Sequence, residues 1–192
     1  MTAPTASPAT AGEAPTRTVR VIGLDLSLTS SGVASSLGWT ERIRPRQLRG
    51  LDRLRHIRQR VIDYAVGASL AVVEGPSYGH GRMAGHDEMA ALRWMVRDDL
   101  TRAGLPVAIV PPSTLKLWAT GNGRASKGDV AAAMDRVHPG LGLMAGQRYD
   151  EADAMALADM GHAWLTHRTG LTPTQQRAMD GAAWPDGAVT LR

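Results

Sequence analysis

The sequence predicts an α/β domain built on one five-stranded mixed sheet with helices on its faces. Three observations predict it. Short apolar runs, several of them rich in β-branched residues, recur along the chain as VRVI, LAVV and PVAIV. The early strand patterns follow one another without a helix between them, whereas the later ones alternate with helical patterns. Antiparallel strands followed by alternating elements give a mixed sheet. The chain has 192 residues, 43% of them hydrophobic, which is enough for one domain with a real core.

Residues 1–18 are rich in Ala, Pro and Thr and are expected to form a disordered tail. They lack a basic start followed by an apolar core, so they do not read as a secretory signal. Residues 19–26 (VRVIGLDL) read as a buried strand and residues 31–38 (SGVASSLG) as its return after the turn-prone LTSS. A third strand is expected near residues 43–49, weakened by Pro45. Leu51, Leu54, Ile57, Val61 and Ile62 then fall at helical spacing, with arginines on the other face. LAVVEG is a short apolar strand, and residues 76–82 (PSYGHGR) form a Gly-rich loop. Residues 86–103 read as a helix with Met89, Leu92, Met95, Val96 and Leu100 along one side. PVAIV is the fifth strand. A helix at 112–119 follows, then the loop TGNGR, then a helix capped by Ser126. A last helix covers about residues 149–167, preceded by a loop. The domain therefore spans residues 19–167. The remainder, 168–192, holds two prolines and three glycines and is expected to be a poorly ordered tail.

Composition excludes several classes. No stretch approaches the ~18–20 apolar residues of a membrane span. The absence of cysteine excludes disulfides, thiolate metal sites and cysteine nucleophiles. A cytoplasmic location is expected. The net charge is +4 and the sequence pI about 10.1. Twenty of the 22 basic residues are arginine, and eight of them fall between Glu41 and Arg60 against two acids. This segment reads either as a solvated helix face or as a surface that tracks phosphates.

Against that basic background four carboxylates stand out. Asp25 ends the first apolar run and Glu74 ends the run LAVVE. Asp150 and Asp153 are three apart at the start of the last helix, and so share a face. Each has an ordinary structural reading. Asp25 or Glu74 can cap a turn, and acids in a first helical turn stabilise the helix dipole. All of them in one short domain read instead as an oxygen-rich cage for a hard cation such as Mg²⁺. His80, His86, His138 and His162 show no zinc spacing and read as surface or packing residues.

These segments resemble the RuvC-type Holliday junction resolvases, of the RNase H-like or retroviral-integrase superfamily, over roughly residues 19–165. The resemblance rests on VIGLDLSLTSSGVA, VVEG, LKLWATGNGRASKGDVAAAM and YDEADAMALA. It is closer to phage-encoded members than to the cellular enzyme. It implies an RNase H-like fold and a crossover junction endodeoxyribonuclease with Asp25, Glu74, Asp150 and Asp153 as metal-binding acids. The two lysines of the chain, Lys116 and Lys127, fall on the family's lysine positions. In a chain otherwise using arginine, this reads as a need for a compact ammonium at each point.

The resemblance further implies two Mg²⁺ ions per site, with Mn²⁺ able to substitute, and Asp25 bridging both. Lys127 would stabilise phosphate charge at the scissile bond, with Lys116, Arg82 and Arg124 along the DNA path. The family places an aromatic at the branch point shortly after the second acid. Tyr78 is the nearest residue here, one place off, and either stacks on a base or packs on the surface. A four-way junction is nearly two-fold symmetric, so paired symmetric nicks imply a homodimer, in a bacterial or phage-infected cell. The family's dimer contact lies around the helix at 86–103, whose apolar stripe must also cover the sheet. Rival readings are a nuclease of the same fold acting on RNA–DNA hybrids or flaps, and a non-catalytic junction-binding protein. An actin-like ATPase would need a second phosphate loop, which the chain lacks.

Overall fold

The computed structural model describes residues 18–76, 85–146 and 148–186. Tyr78, His80 and Arg82, and the expected tail over residues 1–17, lie outside the described residues. Five strands, β1 (Val21–Asp25), β2 (Ser31–Ser35), β3 (Trp39–Ile43), β4 (Leu70–Glu74) and β5 (Val107–Val110), form one sheet in the order β3-β2-β1-β4-β5. The first three pair antiparallel, and β4 and β5 run parallel to β1, so the sheet is mixed as expected. The helices are α1 (Gly50–Ala65), α2 (His86–Arg102), α3 (Pro112–Thr120), α4 (Lys127–Val137), α5 (Tyr149–Leu165) and α6 (Pro173–Asp180).

Two local expectations differ from the structure. The third strand lies earlier than residues 43–49. Gly38, at φ 87°, makes a tight turn that pairs Ser35 directly with Trp39. The strand ends before Pro45, which has no N–H for the ladder. The C-terminal segment is also not a loose tail over residues 172–186. Thr172 caps α6 through a reciprocal capping box with Gln175, and Pro173 occupies the first turn. Beyond α6, Ala183 exchanges two 2.9 Å backbone hydrogen bonds with Ile109, and Trp184 stacks on Trp164 with ring centroids 4.7 Å apart. This segment covers part of the exposed edge of β5.

The sheet is buried on both faces, and the alternation of strand side chains sorts them into two cores. Ile22, Leu24, Ala71 and Val73 join α1 and α2 on one face. Val21, Leu70 and Val72 join α3, α4 and α5 on the other. Continuing that period, Asp25 on β1 and Glu74 on β4 project to the α5 face. They sit side by side, because β1 and β4 are parallel neighbours with Leu24 paired to Val73.

Helix α5 lies almost in backbone contact with the sheet. A Cβ added to Gly23 would stand 1.9 Å from the Ala154 carbonyl oxygen, and one added to Gly32 would stand 1.9 Å from that of Asp150. The helix meets this approach with small residues, Ala152, Ala154, Ala156, Ala158 and Gly161, all buried. Gly32 is the register partner of Asp25, so its missing side chain brings the first turn of α5 over the end of β1. Gly32→Ala is expected to destabilise the fold by about 1–3 kcal/mol by overpacking, seen as a lower urea midpoint with an unchanged m-value. An unchanged midpoint would show that α5 does not depend on this contact.

Candidate active site

Asp25, Glu74, Asp150 and Asp153 converge where the C-terminal ends of β1 and β4 meet the first turn of α5. Asp25 is 6% exposed and Asp153 is 6% exposed, so both acids are largely out of water. Burial pushes the Asp25 carboxyl well above the usual carboxylate range, and the adjacent charges of Glu74 and Asp153 push it further. Burial and then Glu74 raise Asp153 to about 7, although Lys127 pulls the other way. Such crowding of acids is costly unless a cation joins them.

Lys127 is the nearest fixed cation. Its Nζ stands 3.7 Å from Asp150 Oδ1 and 3.9 Å from Asp153 Oδ2. Burial would lower its pKa, but the charges of Asp25, Asp153, Asp150 and Glu74 outweigh that and raise it. The sequence places it there by capping α4. The Ser126 hydroxyl accepts from the Asp129 backbone N–H, and the Asp129 carboxylate accepts from that of Ser126, which fixes Lys127 as the first helical residue. Lys116 comes from α3, which is tied to α5 by a 3.0 Å bond from Trp118 Nε1 to Asp159. Glu74, Lys116, Lys127 and Asp153 line one cleft of about 180 Å³, together with Gly75, Arg93, Pro112 and Leu115. Arg124 is exposed on the loop between α3 and α4.

The donors are carboxylate oxygens with no thiol, the chemistry of a hard divalent cation. Among the described residues no group of three His, Asp or Glu side chains already stands at metal-site spacing. The acids are adjacent but not closed around a point, and Lys127 holds part of the space between them.

The structure also shows what sequence reasoning missed. Glu151, between the two aspartates, turns away from them and is 4% exposed. It accepts from Arg42 at 2.8 Å and from Arg148 Nε at 2.9 Å, and Arg148 also reaches the Thr40 hydroxyl and the Leu141 carbonyl. These bonds tie the start of α5 to β3. Burial alone would raise the Glu151 carboxyl, but Arg148 and Arg42 hold it below the ordinary glutamate range. The basic stretch after Glu41 is likewise less free than its charge implies. Arg42 pairs with Glu151, Arg53 with Glu88, Arg55 with Asp52, Arg58 with Asp99 and Arg60 with Asp63, leaving Arg44, Arg46 and Arg49 without an acidic partner among the described residues. The stripe on α2 mostly faces the sheet: Leu92, Val96 and Leu100 are buried, Met89 and Met95 half-buried.

No family model matches the chain. Several curated proteins named crossover junction endodeoxyribonuclease RuvC do. That of Sorangium cellulosum is 37% identical over 93 residues, covering 48% of this chain and 47% of the relative. That of Leifsonia xyli subsp. xyli is 45% identical over 83 residues, covering 43% and 36%. The structure of Thermus thermophilus RuvC superposes with a TM-score of 0.63 at 22% identity, over 86% of this chain and 99% of that one. The chain is RuvC-like in sequence and in fold. A second structure, T. thermophilus RuvC in complex with Holliday junction substrate, gives a TM-score of 0.61 at 23% identity over 87% and 99% of the two chains. The RuvC-like sheet and its flanking helices make this an RNase H-like fold. The matched segments span less than half the length of either curated relative.

The Glu151 network yields a stability prediction. Its folded pKa is lowered from 4.5, so its contribution is present above pH 4.5 and is lost as pH falls through the lowered folded value. Glu151→Gln is expected to cost about 1–3 kcal/mol at pH 7, with the difference from the parent shrinking in melts below pH 4. A constant difference across that range would assign the loss to packing.

Proposed function

We propose that this chain is a metal-dependent endonuclease that resolves four-way DNA junctions by paired symmetric nicks, acting in recombination and repair. The observation that carries this reading is the meeting of four acids and Lys127 at the ends of two parallel strands, on a chain of net charge +4. Asp25, Glu74, Asp150 and Asp153 would hold two Mg²⁺ ions, or Mn²⁺ in their place. Bound there, the ions would supply an activated water and neutralise charge on the phosphodiester. The buried carboxylates keep the donor set in place, and Lys127 and Lys116 offset the acids so that an anionic strand can approach. Lys127 is the cation within ion-pair distance of both Asp150 and Asp153, and is assigned to the phosphate beside the cut. Arg124, with Tyr78 and Arg82 outside the described residues, is assigned to the DNA path. Two matched cuts require two such sites, so the working unit is a homodimer. Among the described residues no helix is long and apolar enough to cross a membrane.

The test is a labelled mobile four-way junction and the matching linear duplex, each incubated with Mg²⁺ or with EDTA. Paired nicks confined to the junction and dependent on the metal are expected. Asp25→Asn is expected to abolish cutting while junction affinity stays within about threefold. Tight junction binding without cutting in Mg²⁺ or Mn²⁺ would make this a binding protein. Cutting of an RNA–DNA hybrid as well as the junction would move the substrate assignment and leave the chemistry standing.

A further inference from the structure

One cation in the cleft has no role in that scheme. Arg93 lies on α2, whose core-facing residues pack on the sheet face opposite the one that carries α3 and α4. Its side chain nonetheless lines the cleft with Glu74, Lys116, Lys127 and Asp153. Other arginines on α1 and α2 pair with acids: Arg53 with Glu88, Arg58 with Asp99, and Arg102 with Asp98 at 2.9 Å. Among the described residues Arg93 forms no hydrogen bond or ion pair, and its Nε is buried with no partner. It does not pair with Glu74 or Asp153 although it shares their cleft.

A buried guanidinium N–H without an acceptor is destabilising, so an acceptor that arrives with a ligand gains more there than at a solvated arginine. The planar fork of arginine fits two oxygens of one phosphate, which an ammonium cannot match. Lys116 and Lys127 come from one side of the cleft and Arg93 from the other. The cleft, about 180 Å³, is on the scale of one phosphodiester group and not of a duplex.

We propose that Arg93 binds a phosphate of the strand being cut, gripping it from the side opposite Lys116 and Lys127. This rests on the nuclease reading. It adds a direct substrate contact supplied by α2, so the strand is held between the two faces of the sheet as it passes over the acids.

Three readouts test it on the full chain. Arg93→Gln is expected to slow single-turnover junction cleavage at saturating protein about a hundredfold, and to reduce the slope of log affinity against log salt in EDTA by about one. Arg93→Lys is expected to keep the salt slope but stay about tenfold slow, because charge without the fork does not orient the phosphate. On the unsubstituted protein in EDTA, bound junction is expected to reduce phenylglyoxal modification of Arg93 at least fivefold by peptide mapping. If the parent protein cuts, and Arg93→Gln matches it in rate and slope, the inference falls and the nuclease reading stands. If the parent protein cuts nothing, the nuclease reading and the cleavage role of Arg93 fall together, and the modification experiment shows only whether Arg93 contacts bound junction. Should Arg93→Gln fail to fold, the Lys variant and the modification experiment carry the test. Undiminished modification of Arg93 in the bound complex overturns the inference.

Discussion

The near-contact of α5 with β1 and β2 is the constraint on which the rest depends. Gly23 and Gly32 have no side chain to hold the helix away, and the alanines of α5 add little bulk of their own. Because Gly32 faces Asp25 across the β1–β2 ladder, the same contact that seals the core sets Asp150 and Asp153 beside Asp25. Packing and site are therefore one feature. A larger residue at either glycine would move the carboxylates as well as the helix, and small shifts matter for groups proposed to share one ligand.

That arrangement works against the fold's own stability. Carboxylates are buried together, and Asp25 and Asp153 respond with raised pKa values. Lys127 answers part of the charge from 3.7 and 3.9 Å, and it is more than half exposed. The opposite strategy appears one residue away. Glu151 is as buried as Asp153 but is fully matched by Arg148 and Arg42, so it anchors the first turn of α5 while the flanking aspartates remain under-compensated. A matched carboxylate and under-compensated ones thus alternate on a single helical turn, separated by which side of the helix they leave.

Much of this was legible in the sequence, and the reasons are local. Asp25 and Glu74 ended apolar runs whose period of two put them on one side of adjacent strands. Asp150 and Asp153 were three apart on a helix. Ser126 carried a recognisable cap with Asp129 three residues on. What was not legible depends on long-range pairing. Nothing local separates Glu151 from Asp150, because the difference lies in Arg42, more than a hundred residues earlier in the chain. The arginines of α1 read as a free basic face because Glu88 and Asp99, their partners, sit on another helix. Nothing in the local sequence singles out Arg93. The helix at Pro173–Asp180 was hidden by the prolines and glycines of the C-terminal segment around it, although Thr172, Pro173 and Gln175 together spell a helix start.

The central claim is that these acids are crowded for the sake of a cation and at some expense to the fold. The most direct measurement is the melting temperature of the parent protein and of Asp25→Asn, each in EDTA and in millimolar Mg²⁺ or Mn²⁺. The account predicts that the variant melts higher than the parent in EDTA, since one crowded charge is gone. It also predicts that the metal stabilises the parent, by about 2.7 kcal/mol at a hundredfold excess over its dissociation constant, and leaves the variant nearly unchanged. A variant that melts lower than the parent in EDTA, with no response to metal in either protein, would contradict it and make Asp25 a structural residue.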